Sequence, residues 1–133
     1  MRTFIFDMDG TLADTMPTHQ LAWDRLMPEL GIMLDRDDFF GWSAGLTHRE
    51  IFPRLLGRNV TVEEINRLSG HKESLFRELY WSHMTVVKGA DARLQRTTAA
   101  GDRRGVGTAA PPQNVDLVVN KFSDPALMAL FAS

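Results

Sequence analysis

A chain of 133 residues, 44% hydrophobic and 24% charged, has the composition of one soluble globular domain rather than a disordered or fibrous one. Its formal net charge of -2 offers nothing to a polyanion, which argues against nucleic acid. No window approaches the ~20 apolar residues of a membrane span, and the absence of cysteine excludes disulfides and thiolate metal sites, so a cytoplasmic location is expected.

The first element in chain order is Thr3 to Phe6, a short apolar run read as a strand buried on both faces. It ends in Asp7, Asp9 and Gly10, and the C-terminal end of such a strand is where open α/β sheets bind ligands. From Thr15 to about Leu30, Leu21, Ala22, Leu26 and Leu30 recur at helical spacing, with Pro17 tolerated in the first turn and Gly31 as the stop. A second helix is expected over Asp35 to Phe40. A third opens at Thr47 or His48, carries Ile51, Leu55 and Leu56, and stops at Gly57. Thr61 with Glu64 has the form of a capping box for a fourth, whose apolar face is Val62, Ile65, Leu68, Leu75, Phe76 and Leu79. Lys72 reads as a solvated residue of that helix, and Trp23, Trp42 and Trp81 read as packing within a helical layer.

After Gly89 the pattern predicts a helix over Ala90 to Ala100, a strand around Val106, and a helix opened by Pro111 and Pro112. Val115, Val118, Val119 and Phe122 form its buried side. Strand, helical insert, helix, strand, helix is the beginning of a parallel α/β sheet interrupted after its first strand. The core is assigned to residues 1–14 and 85–133 and the insert to 15–84. Asp102 and Arg104 put charge into the second strand, which weakens its specification, because unpaired buried charge costs several kcal/mol.

Two carboxylates at alternate positions of a strand end project in the same general direction, so one can attack while the other handles protons. Phe6-Asp7-Met8-Asp9-Gly10-Thr11 resembles motif I, DxDGT, of the haloacid dehalogenase superfamily. Asp14-Thr15-Met16-Pro17-Thr18-His19 with Ala22-Trp23 resembles the hinge and first cap helix of the subgroup holding β-phosphoglucomutase and sugar-phosphate phosphatases. The resemblance implies an α/β fold, here a partial Rossmannoid parallel sheet with an inserted helical cap. It implies Asp7 as nucleophile, Asp9 as general acid/base, and Mg2+ held by Asp7 and the backbone carbonyl of Asp9. Gly10 would allow the turn and Thr11 hydrogen-bond within it.

By the same resemblance His19 assists substrate positioning and cap closure. Arg49, in Gly45-Leu46-Thr47-His48-Arg49, would engage a non-transferring phosphate. Thr108, ending Val106-Gly107-Thr108 as in motif II, would hydrogen-bond the phosphoryl group. Simpler roles exist for each: an acidic turn for DMDGT, a solvated histidine, a surface arginine beside Glu50, and a turn or cap threonine.

The resemblance stops after Thr108. No lysine matches motif III and no acidic pair matches motif IV; Lys121, Asp116 and Asp124 fall in the wrong context, and the tail from Asp124 to Ser133 matches nothing in the family. Two readings follow. One is a Mg2+-dependent phosphatase or β-phosphoglucomutase-like enzyme acting on a small phosphorylated metabolite, a sugar phosphate, through an aspartyl-phosphate. The other is a C-terminally truncated, catalytically defective member that binds a ligand or partner. On either, the first strand presents an open edge that favours self-association.

Overall fold

The computed structural model describes residues 1–33, 35–83 and 85–121, with side chains through residue 116. The elements run β1 (Thr3–Phe6), α1 (Met16–Glu29), α2 (Arg36–Ser43), α3 (His48–Leu56), α4 (Val62–His83), α5 (Ala90–Ala99), β2 (Arg103–Val106) and α6 (Pro112–Lys121). The expected burial of Val118, Val119 and Phe122, and the tail 124–133, lie outside what is described.

The helix ends follow from local chemistry. Pro17 sits in the first turn of α1, where its missing N–H costs no bond. Asp35 precedes α2 rather than belonging to it, its Oδ1 accepting from Asp38 N at 3.0 Å. Gly57 closes α3 at φ +63°, a conformation that L side chains avoid. At the start of α4, Thr61 Oγ1 accepts from Glu64 N at 3.2 Å, but only half of the expected box forms. The Glu64 carboxylate turns instead to Arg58, at 2.7 and 3.0 Å.

The chain divides into two compact units, Gln20–Phe76 and Met1–His19 with Arg77 onward. The helical unit has its own core of Trp23, Leu26, Met27, Phe39, Phe52, Leu68 and Phe76. Trp23 meets Phe39 at 5.1 Å and Phe52 at 5.6 Å between ring centroids, the edge-on and tilted geometry that aromatic quadrupoles favour.

In the other unit β1 and β2 pair in parallel, Thr3 opposite Arg103 through Phe6 opposite Val106. Leu12, Ala90 and Leu94 form a small core on which Phe6, Val86, Val87 and Val106 pack. The expectation of a first strand buried on both faces is corrected: Ile5 is 76% exposed, and Phe4 and Phe6 are half-buried. The core on Leu94 covers the Phe6 and Val106 side, and side chains alternate, so Ile5 points away from it.

The charges at β2 are also resolved differently from expectation. Asp102 stands just before the strand, its carboxylate accepting from Arg2 N at 2.8 Å and from the Arg2 guanidinium at 3.1 Å. Arg103 N donates in turn to Arg2 O at 2.8 Å. These donors, the Arg2 backbone N–H foremost, hold the Asp102 carboxyl below the usual carboxylate range. The start of the sheet is therefore pinned by a charge-assisted clamp. Arg104 is half-buried within β2, with Nη1 enclosed and not hydrogen-bonded.

Candidate active site

The alternation of β1 continues past its last ladder residue: Asp7 is exposed, Met8 fully buried and Asp9 half-buried. Anchoring Met8 in the core is what turns both flanking carboxylates outward. The Met8 carbonyl accepts from Leu12 N and Ala13 N at 3.0 Å each, and from Thr11 N at 3.4 Å. Gly10, at φ +70°, donates to Ala13 O at 2.8 Å, a reversal that a β-carbon would strain. Asp7 Oδ1 accepts from Met8 N at 2.8 Å, so the main chain fixes one of its oxygens.

This loop is locked from a second direction. Asp14 N donates to Thr85 O at 2.8 Å and Val87 N to Leu12 O at 3.0 Å, an antiparallel pairing centred on the Ala13–Val86 bridge. His19, in the first turns of α1, brings Nε2 to 3.9 Å from Asp9 Oδ1. That is too long for a hydrogen bond but within reach of a Coulombic interaction.

The parallel register carries β2 to the same end of the sheet, with Gly107 N donating to Phe6 O at 2.9 Å. A β-carbon on Gly107 would lie 3.0 Å from Ile5 Cγ2, a close approach that only a shift of the Ile5 side chain would relieve. Thr108 follows, and its Oγ1 accepts from Ala110 N at 3.1 Å, shaping the turn into α6.

Asp7, Asp9, Gly10, Thr11, His19 and Thr108 thus belong to one unit, and Arg49 to the other. Arg49 is exposed on the first turn of α3. Its neighbour Glu50 folds back onto Thr47, accepting from N and Oγ1 at 2.8 Å each, contacts that hold its carboxyl below the usual range.

Two polar residues of α4 were misjudged or missed in the sequence. Lys72 is 3% exposed, not solvated: its Nζ lies 3.0 Å from Glu73 Oε1 and 5.6 Å from the Trp23 ring. Tyr80 is fully buried, and its phenol is pushed well above its ordinary pKa by burial, and then by the carboxylates of Asp9 and Asp14. Ile65, Leu68, Lys72, Phe76 and Tyr80 recur at three- and four-residue steps, a helical stripe that the sequence contains. Trp81, expected to be packing, is 52% exposed.

Among the described residues no three His, Cys, Asp or Glu side chains gather as a metal group, and no helix is long and apolar enough to cross a membrane.

An aspartate pair at the end of the first strand of a parallel sheet stands where open α/β sheets gather the polar groups of a binding site. The family model described as haloacid dehalogenase-like hydrolase matches residues 1–125, and the chain belongs to that enzyme family. Protein CbbY of Rhodobacter capsulatus is 28% identical over 137 aligned residues, covering 95% of this chain and 59% of that protein. Fructose-1-phosphate phosphatase YqaB of Escherichia coli is 40% identical over 45 residues, 34% of this chain and 24% of its own. In fold, a family IA, variant 3 hydrolase from Entamoeba histolytica superposes with a TM-score of 0.82 at 22% identity, covering 92% of this chain and 55% of that one. The chain thus spans no more than about three-fifths of the length of these relatives.

Proposed function

We propose that this chain carries the nucleophile and the acid/base of a Mg2+-dependent phosphatase that hydrolyses a small sugar phosphate through an aspartyl-phosphate. The observation that supports it most is the outward pair Asp7 and Asp9 flanking buried Met8, with His19 Nε2 at 3.9 Å from Asp9 and Thr108 at the same sheet end by register. The sugar-phosphate class is supported by the 40% identical segment shared with a fructose-1-phosphate phosphatase.

In this reading Asp7 Oδ2 attacks phosphorus while Oδ1 is held by Met8 N. The bond from phosphorus to the sugar oxygen breaks, and that oxygen takes a proton from Asp9. Asp9, now a carboxylate, removes a proton from water, which attacks the phosphorus. The bond from phosphorus to Asp7 then breaks, releasing inorganic phosphate and restoring both aspartates. Thr108 steadies a phosphoryl oxygen, Gly10 and Thr11 keep the loop in shape, and His19 orients Asp9 and the substrate.

The donors fit the metal: the Asp7 carboxylate and the Asp9 carbonyl are hard oxygens, the chemistry Mg2+ takes. When bound, the ion would offset the negative charge that Asp7 and the phosphoryl group bring together.

The test is phosphate release by the purified chain from a panel of sugar phosphates with Mg2+. The expected result is turnover that falls more than about 10³-fold in Asp7→Asn, the scale of losing a nucleophile. A folded chain that releases no phosphate from any of them would overturn the reading.

A further inference from the structure

On its sheet side Thr108 is anchored through Gly107, whose N donates to Phe6 O at 2.9 Å. On its other side the chain runs through Ala110, whose N donates to Thr108 Oγ1 at 3.1 Å, into Pro111 and Pro112. Neither proline has an N–H, so between Ala110 and Gln113 the main chain offers no donor with which to anchor the turn. The fixed φ of each proline makes the segment a stiff link, so the turn follows wherever α6 begins. A side chain from another helix fixes that beginning. Asn114, the third residue of α6, is 2% exposed, and its Oδ1 accepts from Arg77 Nη1 of α4 at 3.0 Å. Its main-chain N donates to Pro111 O at 2.9 Å, which ties the side chain to the proline link. A guanidinium only donates, so the carboxamide is oriented with its oxygen toward Arg77, in a bond that the charge strengthens. A leucine at 114 would fill the place without enclosing a carboxamide, whose burial is costly unless it is hydrogen-bonded.

We propose that Arg77 and Asn114 are positioning residues for Thr108. Through the proline pair they set where the Thr108 hydroxyl and the amides of its turn stand relative to the end of β1. The proposal rests on the reading of Thr108 as the group that steadies a phosphoryl oxygen. Thr108 is then placed from two directions, by the sheet at Gly107 and by α4 through Asn114. Such placement matters because a shift of ~1 Å, caused far from the chemistry, can cost on the order of 10²-fold in rate.

Amide hydrogen exchange in the full chain, followed by NMR, tests this without substrate. Arg77→Met keeps the apolar stem and removes the donor, and Asn114→Leu removes the acceptor at similar volume. Each should speed exchange at the Ala110 and Asn114 amides by about ten-fold, the scale of losing one charge-assisted hydrogen bond. The Arg103 and Leu12 amides, bonded to Arg2 O and Met8 O, should keep their wild-type rates. Asn114→Asp, which retains an oxygen facing Arg77, should restore the wild-type pattern. Faster exchange shared equally by Arg103 and Leu12 would mean that the pair only stabilises the unit, and unchanged exchange at Ala110 would mean that it does not reach the turn. Either result overturns the proposal. If Arg77→Met or Asn114→Leu loses the wild-type circular dichroism spectrum, Arg77→Lys, whose ammonium cannot repeat the guanidinium geometry, is read in the same way. No turnover is needed, so failure of the phosphatase reading is distinguishable from failure of this one. Where turnover is measured, Arg77→Met should raise KM by a larger factor than it lowers kcat, because a phosphoryl contact is already made in the bound substrate. A fall in kcat with KM unchanged would count against the placement of Thr108.

Discussion

The two units of this chain solve the same packing problem with different means. The helical unit closes a core on itself: Trp23, Phe39, Phe52 and Phe76 are at most 5% exposed, and Trp23 meets Phe39 and Phe52 ring to ring. The sheet-bearing unit has a small core around Leu94, half-buried strand residues, and Ile5 largely in solvent. What fixes it is polar: the Arg2–Asp102 clamp, the carbonyl of Met8 gathering the loop amides, and the pairing of residues 12–14 with 85–87. The comparison teaches that apolar burial supplies most of the stability on one side, while hydrogen bonds of definite direction supply geometry on the other. The aspartates stand where geometry is the scarcer commodity.

The largest test of that contrast is Phe52→Ala. Its ring is fully buried between Trp23 and His48, with little room for collapse, so urea unfolding should show a loss of about 3–5 kcal/mol. Leu94→Ala in the sheet-bearing unit should cost about 2–3 kcal/mol, nearer the low end for such truncations, because Phe6, Val86, Val87 and Val106, packed on its cluster, are only partly buried and can relax. Hydrogen exchange sharpens the comparison. Phe52→Ala should open amides of residues 20–76, and Leu94→Ala those of β1 and β2; equal opening in both units would break it.

A smaller effect is expected at Lys72→Met. The replacement keeps the long apolar stem against Trp23 but removes the ammonium beside Glu73, whose side chain is 13% exposed. A loss of about 1–2 kcal/mol follows from leaving a nearly buried carboxylate with fewer donors. Adding Glu73→Gln should recover part of it. A double variant no more stable than Lys72→Met alone would show that the pair is not coupled.

How much of this was legible in the sequence differs between the same two regions. The helices announced themselves, since Ile65, Leu68, Leu75 and Phe76 keep a helical period and Gly57 marks a stop by its own backbone preference. Asp7 and Asp9 were legible as a strand-end pair because alternation is local. The burial of β1 was not. An apolar run such as Thr3 to Phe6 says that a strand forms, but how many neighbours cover it depends on distant chain. Asp102 read as an unpaired charge because its partner, Arg2, lies at the opposite end of the sequence. Lys72 sat on the buried stripe, but its residue type suggested the surface, and only packing could overrule that; Tyr80, on the same stripe, was not singled out. Arg49 and Thr108 could be placed on elements, whereas their distances from a substrate are not encoded in spacing.

The smallest effect is confined to acid and probes the clamp. The folded-state pKa of Asp102 is depressed, chiefly by the Arg2 backbone N–H and also by its guanidinium. A carboxyl depressed on folding contributes stability that is fully present above its unfolded pKa, about 3.9, and is lost as pH falls through the folded value. Thermal unfolding of the wild type should therefore be insensitive to this group from pH 5 upward and should weaken below pH 4. Asp102→Asn keeps the shape and one acceptor but cannot be protonated, so its melting temperature should be lower than wild type at neutral pH. Below the folded pKa of Asp102 the two curves should converge, because the wild-type carboxyl is then neutral as well. Curves that stay parallel down to pH 2 would mean that the clamp contributes shape without charge. The sheet-bearing unit would then be less dependent on directed polar contacts than its geometry indicates.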